Sequence, residues 1–123
     1  MNKFLFLTAI ALITSFANAQ VQKGLDIDGE AAYDFSGRSV SMLDANTLAI
    51  GAIGNDGNGN NSGHVRVYSW NGNAWVQKGV DINGEAAGDN SGLSVSMPDA
   101  NTVAIGAQFN YSQGSDSVHF SIY

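Results

Sequence analysis

The chain contains the same stretch of sequence twice. "VQKGLDIDGEAAYDFSG" begins at Val21, and "VQKGVDINGEAAGDNSG" begins 55 residues later at Val76. When the chain is aligned with itself at that offset, residues 21–68 and 76–123 are identical at 30 of 48 positions without a gap. A period near 50 residues is typical of propellers and related arrays, in which each unit buries its face against a neighbour. The repeat therefore predicts a modular fold, with repeat 1 at 21–75 and repeat 2 at 76–123.

Each repeat has the period of two that indicates β-strands. "SVSMLDANTLAIGA" (residues 39–52) predicts two strands joined by a tight turn at residues 44–46. The small residues Ala49 and Gly51 share one face of the second strand and would let another layer approach closely. A Gly/Asn-rich loop at 55–63 has no hydrophobic period and is expected to be flexible and to form no strand.

Two more strands complete the predicted unit. "HVRVYSW" (residues 64–70) alternates again, and Asn71-Gly72 is a hairpin signal in which both turn residues need positive φ. The chain then returns through "AWVQKGVDI" (residues 74–82). The predicted fold class is all-β: two four-stranded antiparallel blades of the β-propeller type, a partial propeller, with the N-terminal strand Val21–Ile27 completing the last blade. Helical periodicity is absent outside the leader.

The first 19 residues have the layout of a secretory signal peptide. Lys3 precedes the apolar run "FLFLTAIALI" (residues 4–13), and "ANA" at 17–19 places small residues at a cleavage site. Ten apolar residues are too few to span a bilayer. The sequence predicts a signal peptide at 1–19, a repeat domain at 20–123, no membrane span after cleavage, and a secreted or cell-envelope location.

Composition argues against some classes of partner. Removal of the leader takes Lys3 from the five basic residues and leaves all 11 acidic ones, so the net charge of −6 becomes −7. A surface of that sign repels phosphate backbones, which argues against a nucleic-acid partner. The chain has no cysteine, so its stability cannot depend on a disulfide.

Two stretches resemble FG-GAP repeats, the blade unit of the integrin α-subunit propeller and of many exported bacterial proteins. They are "FSGRSVSMLDANTLAIGAI" (residues 35–53) and "NSGLSVSMPDANTVAIGAQ" (residues 90–108). The first has a variant FG element at residues 35–37 and the GA of the GAP element at residues 51–52. In the second, Asn90 replaces the aromatic residue, and neither has the proline. The resemblance implies a β-propeller blade and, more loosely, extracellular recognition or adhesion.

The sequence predicts no cofactor, and a bound calcium ion is the alternative that its Asp/Asn-rich stretches leave open. The family's aspartate-rich calcium loop is shortened here to Asp44–Thr47, which cannot supply the six to eight oxygen ligands that calcium prefers. Another candidate is the D-x-N-x-N spacing of Asp56, Asn58 and Asn60. There, Asn61 stands where an EF-type loop has glycine, and Val67 stands where it has glutamate. The sequence therefore assigns no metal site.

No catalytic residue is assigned either. The acidic residues of one repeat recur in the other, and recurrence favours a role in turns, because every unit needs its turns whereas a catalytic pair is needed once. The acidic residues are therefore interpreted as turn carboxylates. His64 and His119 are interpreted as structural residues. A binding surface is considered at Tyr68, Trp70 and Trp75, which flank the predicted hairpin. These aromatic side chains could stack on a sugar, or they could simply stabilise the hairpin.

The function predicted is an exported, non-enzymatic repeat module for extracellular binding or adhesion, with an extracellular protein or glycan as partner. One apolar face of each blade, built from residues such as Val40, Leu48, Ile50 and Val65, would lack a neighbour, so self-association into a multi-blade assembly is expected. Two alternatives stay open. The chain could be a fragment of a longer propeller protein without autonomous function, or a secreted hydrolase that uses the Glu30 and Glu85 loops.

We expect the exported protein to be cleaved after Ala19, because the "ANA" site at residues 17–19 lies a few residues after the apolar run, which ends at Ile13. Intact-mass measurement of the exported protein should give a chain that begins at Gln20. A secreted form that keeps Met1 would contradict the prediction.

Overall fold

A computed structural model describes residues 19–110 and 119–123. The predicted signal peptide therefore lies almost wholly outside the described residues, as does the repeat 2 loop at 111–118. The described part of the chain contains no helix, and none therefore that could cross a membrane. It contains eight strands: β1 Ser36–Asp44, β2 Thr47–Ala52, β3 His64–Trp70, β4 Trp75–Gln77, β5 Ile82–Asn83, β6 Ser91–Asp99, β7 Thr102–Ala107 and β8 His119–Ile122.

The strands form two antiparallel sheets, which we call blade 1 and blade 2. Blade 1 has the order β1-β2-β3-β4, with β5 also paired to β3, and blade 2 has the order β6-β7-β8. β4 pairs one end of β3 (Trp70 with Trp75) and β5 the other (His64 with Asn83), so they are two halves of one interrupted fourth strand. The all-β, partial-propeller prediction is confirmed, although blade 2 has three strands among the described residues.

The two blades repeat each other in register and in turn chemistry. Val40 pairs with Ile50 in blade 1, and Val95 pairs with Ile105 in blade 2. The tight turn after Asp44 is where the sequence places it. The Asp44 carboxylate accepts a hydrogen bond from the Asn46 backbone amide at 2.7 Å, and Asp99 does the same for Asn101 at 2.8 Å. An aspartate that bonds the backbone two residues ahead favours this turn locally.

Strand pairing gives each blade a front face and a back face, because residues opposite each other in a ladder point to the same side. The front face of blade 1 carries Ser39, Ser41, Ala49, Gly51, Val65 and Val67. Its back face carries Val40, Met42, Leu48, Ile50, His64, Arg66 and Tyr68. The equivalent front face of blade 2 carries Ser94, Ser96, Ala104, Gly106, Phe120 and Ile122, and its back face carries Val95, Met97, Val103, Ile105 and His119. Val65 is thus on the face opposite Val40, Leu48 and Ile50, not with them.

The main core lies between the blades, where the front face of blade 1 packs on the back face of blade 2. The buried cluster there consists of Ala49, Val65, Val67, Met97, Val103 and Ile105. Hydrogen bonds also cross the interface: the Ser39 hydroxyl donates to the Gly92 carbonyl at 2.6 Å, and the Met97 amide donates to the Ser41 hydroxyl at 3.0 Å. The small front-face residues permit this close approach, as the sequence predicted.

The N-terminal segment, residues 21–28, does not complete blade 2 within this chain. It forms no strand and lies on the back face of blade 1, where Ile27 packs against a buried cluster of Leu48, Ile50 and Tyr68. Its repeat equivalent, residues 76–83, makes two kinds of contact: it pairs with β3 of blade 1, and Lys78 donates to the Ala100 carbonyl of blade 2. The N-terminal segment lacks the strand pairing, but its Lys23 donates to the Ala45 carbonyl of blade 1 in the same way.

The hairpin after β3 is longer than the predicted two-residue turn. Trp70 pairs with Trp75, so the connection spans the four residues 71–74. Of the two turn residues, only Gly72 has positive φ, at 100°. Asn71 acts through its side chain, whose oxygen accepts hydrogen bonds from the Asn73 and Ala74 amides at 2.9 and 2.8 Å.

Gly51→Ala should destabilise the fold, because a Cβ at this position would lie 2.2 Å from the Gly92 carbonyl oxygen of the other blade. We expect a loss of about 1–3 kcal/mol in the free energy of unfolding, as for overpacking. Urea denaturation followed by tryptophan fluorescence at submicromolar protein measures it.

Gly106→Ala is the matched control, since a Cβ there meets only its own blade's Ser94 within 4 Å. Equal losses for the two variants would show that the approach of the blades is not what requires glycine.

Candidate functional site

The aromatic side chains considered as a sugar platform hold the N-terminal segment. Trp70 and Trp75 pack edge to face with ring centroids 5.5 Å apart. The Lys23 ammonium lies 5.0 and 5.3 Å from the two centroids, and the Trp75 indole N–H donates to the Lys23 carbonyl at 2.9 Å. Cation–π and hydrogen-bond contacts of this kind stabilise the docked segment. Tyr68 is buried beneath Ile27, so the three aromatic residues do not form one open stacking surface.

A groove runs between this segment and the hairpin. Its volume is about 530 Å³, and its lining is Gly24, Leu25, Asp26, Ile27, Asp28, Tyr68, Asn73, Ala74 and Trp75. Residues 24–28 of the N-terminal segment thus form one wall of the groove. Val21 and Leu25 on that segment are strongly exposed, and the segment pairs with no described strand. The groove therefore follows an unpaired length of backbone with exposed apolar side chains.

The weak calcium candidates are engaged in hydrogen bonds that shape their loop. Asp56 and Asn60 accept bonds from the backbone and side-chain nitrogens of Asn61, at 2.8 and 2.9 Å. The Asn58 side-chain amide donates to two backbone carbonyls of repeat 2, those of Gly84 at 2.8 Å and Glu85 at 2.9 Å. The loop is therefore tied to the start of the second repeat, and its Asp/Asn residues serve the fold.

An asparagine organises the acidic loop of each repeat. The Asn55 amide donates to Glu30 at 3.1 Å and to the buried Asp34 at 2.9 Å. In repeat 2 the Asn110 amide donates to Glu85 at 2.9 Å and to the buried Asp89 at 3.4 Å. Asp34 and Asp89 also accept backbone bonds from residues 31 and 86, which agrees with their interpretation as turn carboxylates.

His64 differs from the other polar residues of the blade. Its side chain is 1% exposed, and neither ring nitrogen has a hydrogen-bond partner among the described residues. Nδ1 lies 3.8 Å from Glu30 Oε2 and 4.0 Å from Asp81 Oδ2, so three potential ligand atoms lie within 4.8 Å of one another. Burial lowers the pKa of His64 below its usual value, more than the two carboxylates raise it, which favours the neutral imidazole at neutral pH.

Sequence reasoning missed this cluster. It grouped the carboxylates, Asp81 among them, as turn residues and the histidines as structural, and it did not join the two groups. Asp81 lies beside His64 at the interruption between β4 and β5, where residues 79–81 leave the ladder after the Lys78 amide donates to the Val67 carbonyl. One signal was available: Glu30 and His64 recur at the same spacing as Glu85 and His119, whose side chains again approach to 3.8 Å.

Each blade also exposes part of the face that its equivalent buries, although on the back face of blade 1 Leu48 and Ile50 are buried in the cluster against which Ile27 packs. Met42 on the back face of blade 1 is 57% exposed, whereas the equivalent Met97 is 7% exposed beneath blade 1. Phe120 on the front face of blade 2 is 60% exposed, whereas the equivalent Val65 is fully buried. Exposed apolar patches of this kind are typical of association surfaces.

One comparison with known proteins gives a match. Residues 19–68 match the family model of the FG-GAP repeat, a span that contains β1, β2 and most of β3. This confirms the resemblance seen in the sequence. The chain matches no curated protein and no solved structure.

Asn58→Ala should lower the free energy of unfolding by about 1–2 kcal/mol, because two hydrogen bonds to the second repeat are lost. Asn60→Ala, an exposed change in the same loop, should cost less than about 0.5 kcal/mol. Thermal and urea unfolding measure both. Equal effects would contradict the role of Asn58 as a tie between the loop and residues 84–85.

Proposed function

We propose that this chain, whose residues 19–68 match the FG-GAP repeat, is an exported, non-enzymatic module that binds by adding blades to its exposed blade faces. The partner that fits best is a second copy. The observation that carries the proposal is that the outer faces are equivalent to the two faces already packed together inside the chain. The front face of blade 2 corresponds to the front face of blade 1, and the back faces correspond likewise.

The polar contacts of the internal interface have equivalents on the outside. Ser39 and Ser41 bond Gly92 and Met97 between the blades. Their equivalents Ser94 and Ser96 are on the outer face of blade 2. On blade 1, Gly37 is the equivalent of Gly92. A Cβ at Gly92 would lie 2.6 Å from the His64 carbonyl oxygen, whereas a Cβ at Gly37 would meet nothing within 4 Å. The outside of blade 1 thus has the room that a further blade needs.

The strand edges support the same partner. β3 is paired along its outer edge by β4 and β5, whereas its equivalent β8 pairs only with β7 among the described residues. The N-terminal segment has the local geometry of the segment that pairs with β3. Gln22 donates to Asp26 at 2.8 Å as Gln77 donates to Asp81 at 2.7 Å. A second copy could therefore place its residues 21–28 along β8, with its back face on the front face of blade 2. Such a head-to-tail contact is heterologous and generates rings or filaments.

Two further features support the remaining parts of the proposal. The leader-like residues 1–19 support export. The buried carboxylates Asp34 and Asp89 are engaged in equivalent hydrogen bonds in the two repeats, which supports a structural rather than a catalytic use. An extracellular protein or glycan in place of a second copy would bind the same exposed faces.

Association should depend on both outer faces. We expect the purified chain to form species of two or more copies at micromolar concentration in light scattering. Met42→Glu and Phe120→Glu should each weaken this association at least tenfold, because each buries a charge in the contact. Asn73→Glu at the hairpin tip is the matched control and should leave it unchanged.

A mixing experiment tests the head-to-tail geometry. Met42→Glu keeps an intact front face on blade 2, and Phe120→Glu keeps an intact back face on blade 1. A mixture of the two variants should therefore form a one-to-one complex that neither forms alone. A wild-type chain that stays a monodisperse monomer would contradict the proposal.

A further inference from the structure

We propose that Glu30, His64 and Asp81 form a binding site for a divalent transition-metal ion, with zinc as the best fit. The three residues come from different parts of blade 1: the loop before β1, the start of β3, and the interruption between β4 and β5. His64 is on the back face of blade 1, at the end of β3 away from Tyr68, Leu48 and Met42, and the existence of the site does not depend on the proposed function.

The buried histidine is the primary observation. A neutral imidazole has one donor and one acceptor nitrogen, and buried polar atoms in native proteins nearly always have partners. Both nitrogens of His64 lack a partner in the part of the chain that the structure describes, although the side chain is 1% exposed. An ion bound to Nδ1 would satisfy the nitrogen that faces the two carboxylates. Burial also lowers the pKa of His64, which keeps the nitrogen lone pair available to a metal.

The distances fit a small cation after a slight contraction. Nδ1 is 3.8 and 4.0 Å from the two carboxylate oxygens. Zinc bound by nitrogen and oxygen at 2.0–2.2 Å in a tetrahedron needs ligand atoms about 3.4 Å apart. Each carboxylate must therefore move inward by roughly half an ångström, within the rotamer freedom of a partly exposed side chain. Glu30 and Asp81 are 43% and 29% exposed, so an ion can enter from solvent and keep a water ligand.

Both carboxylates are oriented by neighbouring amides. Asn55 donates to Glu30 Oε2 at 3.1 Å. Gln77 donates to Asp81 Oδ1 at 2.7 Å, which leaves Oδ2 directed at His64. Hydrogen bonds of this kind hold metal ligands in place and contribute to affinity. Burial of a cation here is also favoured by charge, because Glu30, Asp34 and Asp81 outnumber the one nearby cation, Arg66.

The ligand types select the class of metal. Calcium and magnesium prefer oxygen ligands, calcium with six to eight of them, whereas one imidazole with two carboxylates suits zinc and its first-row neighbours. Repeat 2 provides an internal comparison. Glu85 and His119 are also 3.8 Å apart, but His119 is more exposed than His64, and no third acidic or histidine ligand joins them among the described residues.

The test is titration of the purified chain, without a histidine tag, with Zn²⁺ alone by calorimetry. The Met42→Glu background prevents contacts between copies from adding ligands. We expect one site per chain with a dissociation constant in the micromolar range or below. Cobalt(II) should give the visible absorption of a four- or five-coordinate site. Calcium at millimolar concentration should not displace zinc, and displacement by calcium would overturn the assignment to a transition metal.

Each ligand has a matched control at the equivalent position of the other repeat. Glu30→Gln, Asp81→Asn and His64→Asn should each weaken zinc binding at least tenfold, whereas Glu85→Gln, Asp26→Asn and His119→Asn should change it less than twofold. Because Glu30 and Asp81 are partly exposed, their variants should fold even if His64→Asn does not. Absence of zinc binding by the parent chain, or equal losses for a variant and its control, would overturn the proposal.

Discussion

The close approach of two backbones, at Gly51 in one blade and Gly92 in the other, is the constraint on which the rest of the fold depends. A single β-carbon at Gly51 would lie 2.2 Å from the Gly92 carbonyl oxygen. At that separation Ala49, Val65 and Val67 can reach Met97, Val103 and Ile105, which together form the larger buried cluster. The chain has no cysteine, and a small domain without disulfides must bury enough apolar surface to be stable. Among the described residues, the second buried cluster, Leu48, Ile50 and Tyr68, is smaller, so the packing of one blade on the other supplies most of the buried core.

The repeated sequence occupies two different environments. Met42 and Met97, or Gly37 and Gly92, are identical residues in equivalent strands, yet one of each pair is covered by a blade and the other is not. The repeated sequence therefore includes, in both copies, residues for a contact between blades that the chain makes only once. Residues of the kind that make the contact are therefore also present where it is not made. This is why Met42 and Phe120 stay apolar on the outer faces, although they are 57% and 60% exposed.

Much of the fold follows from local rules that the sequence displays. The period of two predicts the strands, and Asp44 and Asn46 predict their turn, because an aspartate that bonds the backbone two residues ahead needs no distant partner. What could not be predicted depends on tertiary contacts. The N-terminal segment has strand-like sequence, but Lys23 and Ile27 contact blade 1, and the segment pairs with no strand among the described residues. The hairpin connection has four residues rather than the predicted two, because Asn71 shapes the turn through its side-chain oxygen and not through a backbone with positive φ.

The histidine cluster shows the same limit at a candidate site. Glu30 and His64 lie in one repeat, and Asp81 lies in the next, so no spacing rule within a repeat could join them. They meet because the fourth strand of blade 1 is supplied by the second repeat and leaves the ladder before it resumes at β5. The residue that completes the cluster is thus carried by the segment that joins the blades. Asp26 is the equivalent of Asp81 in the N-terminal segment, and it accepts a hydrogen bond from Gln22 as Asp81 does from Gln77. If a second copy laid that segment along β8, Asp26 would approach Glu85 and His119 as Asp81 approaches Glu30 and His64. Stacking of copies and completion of the second cluster would then be one event, because the same stretch of backbone provides the pairing edge and the carboxylate.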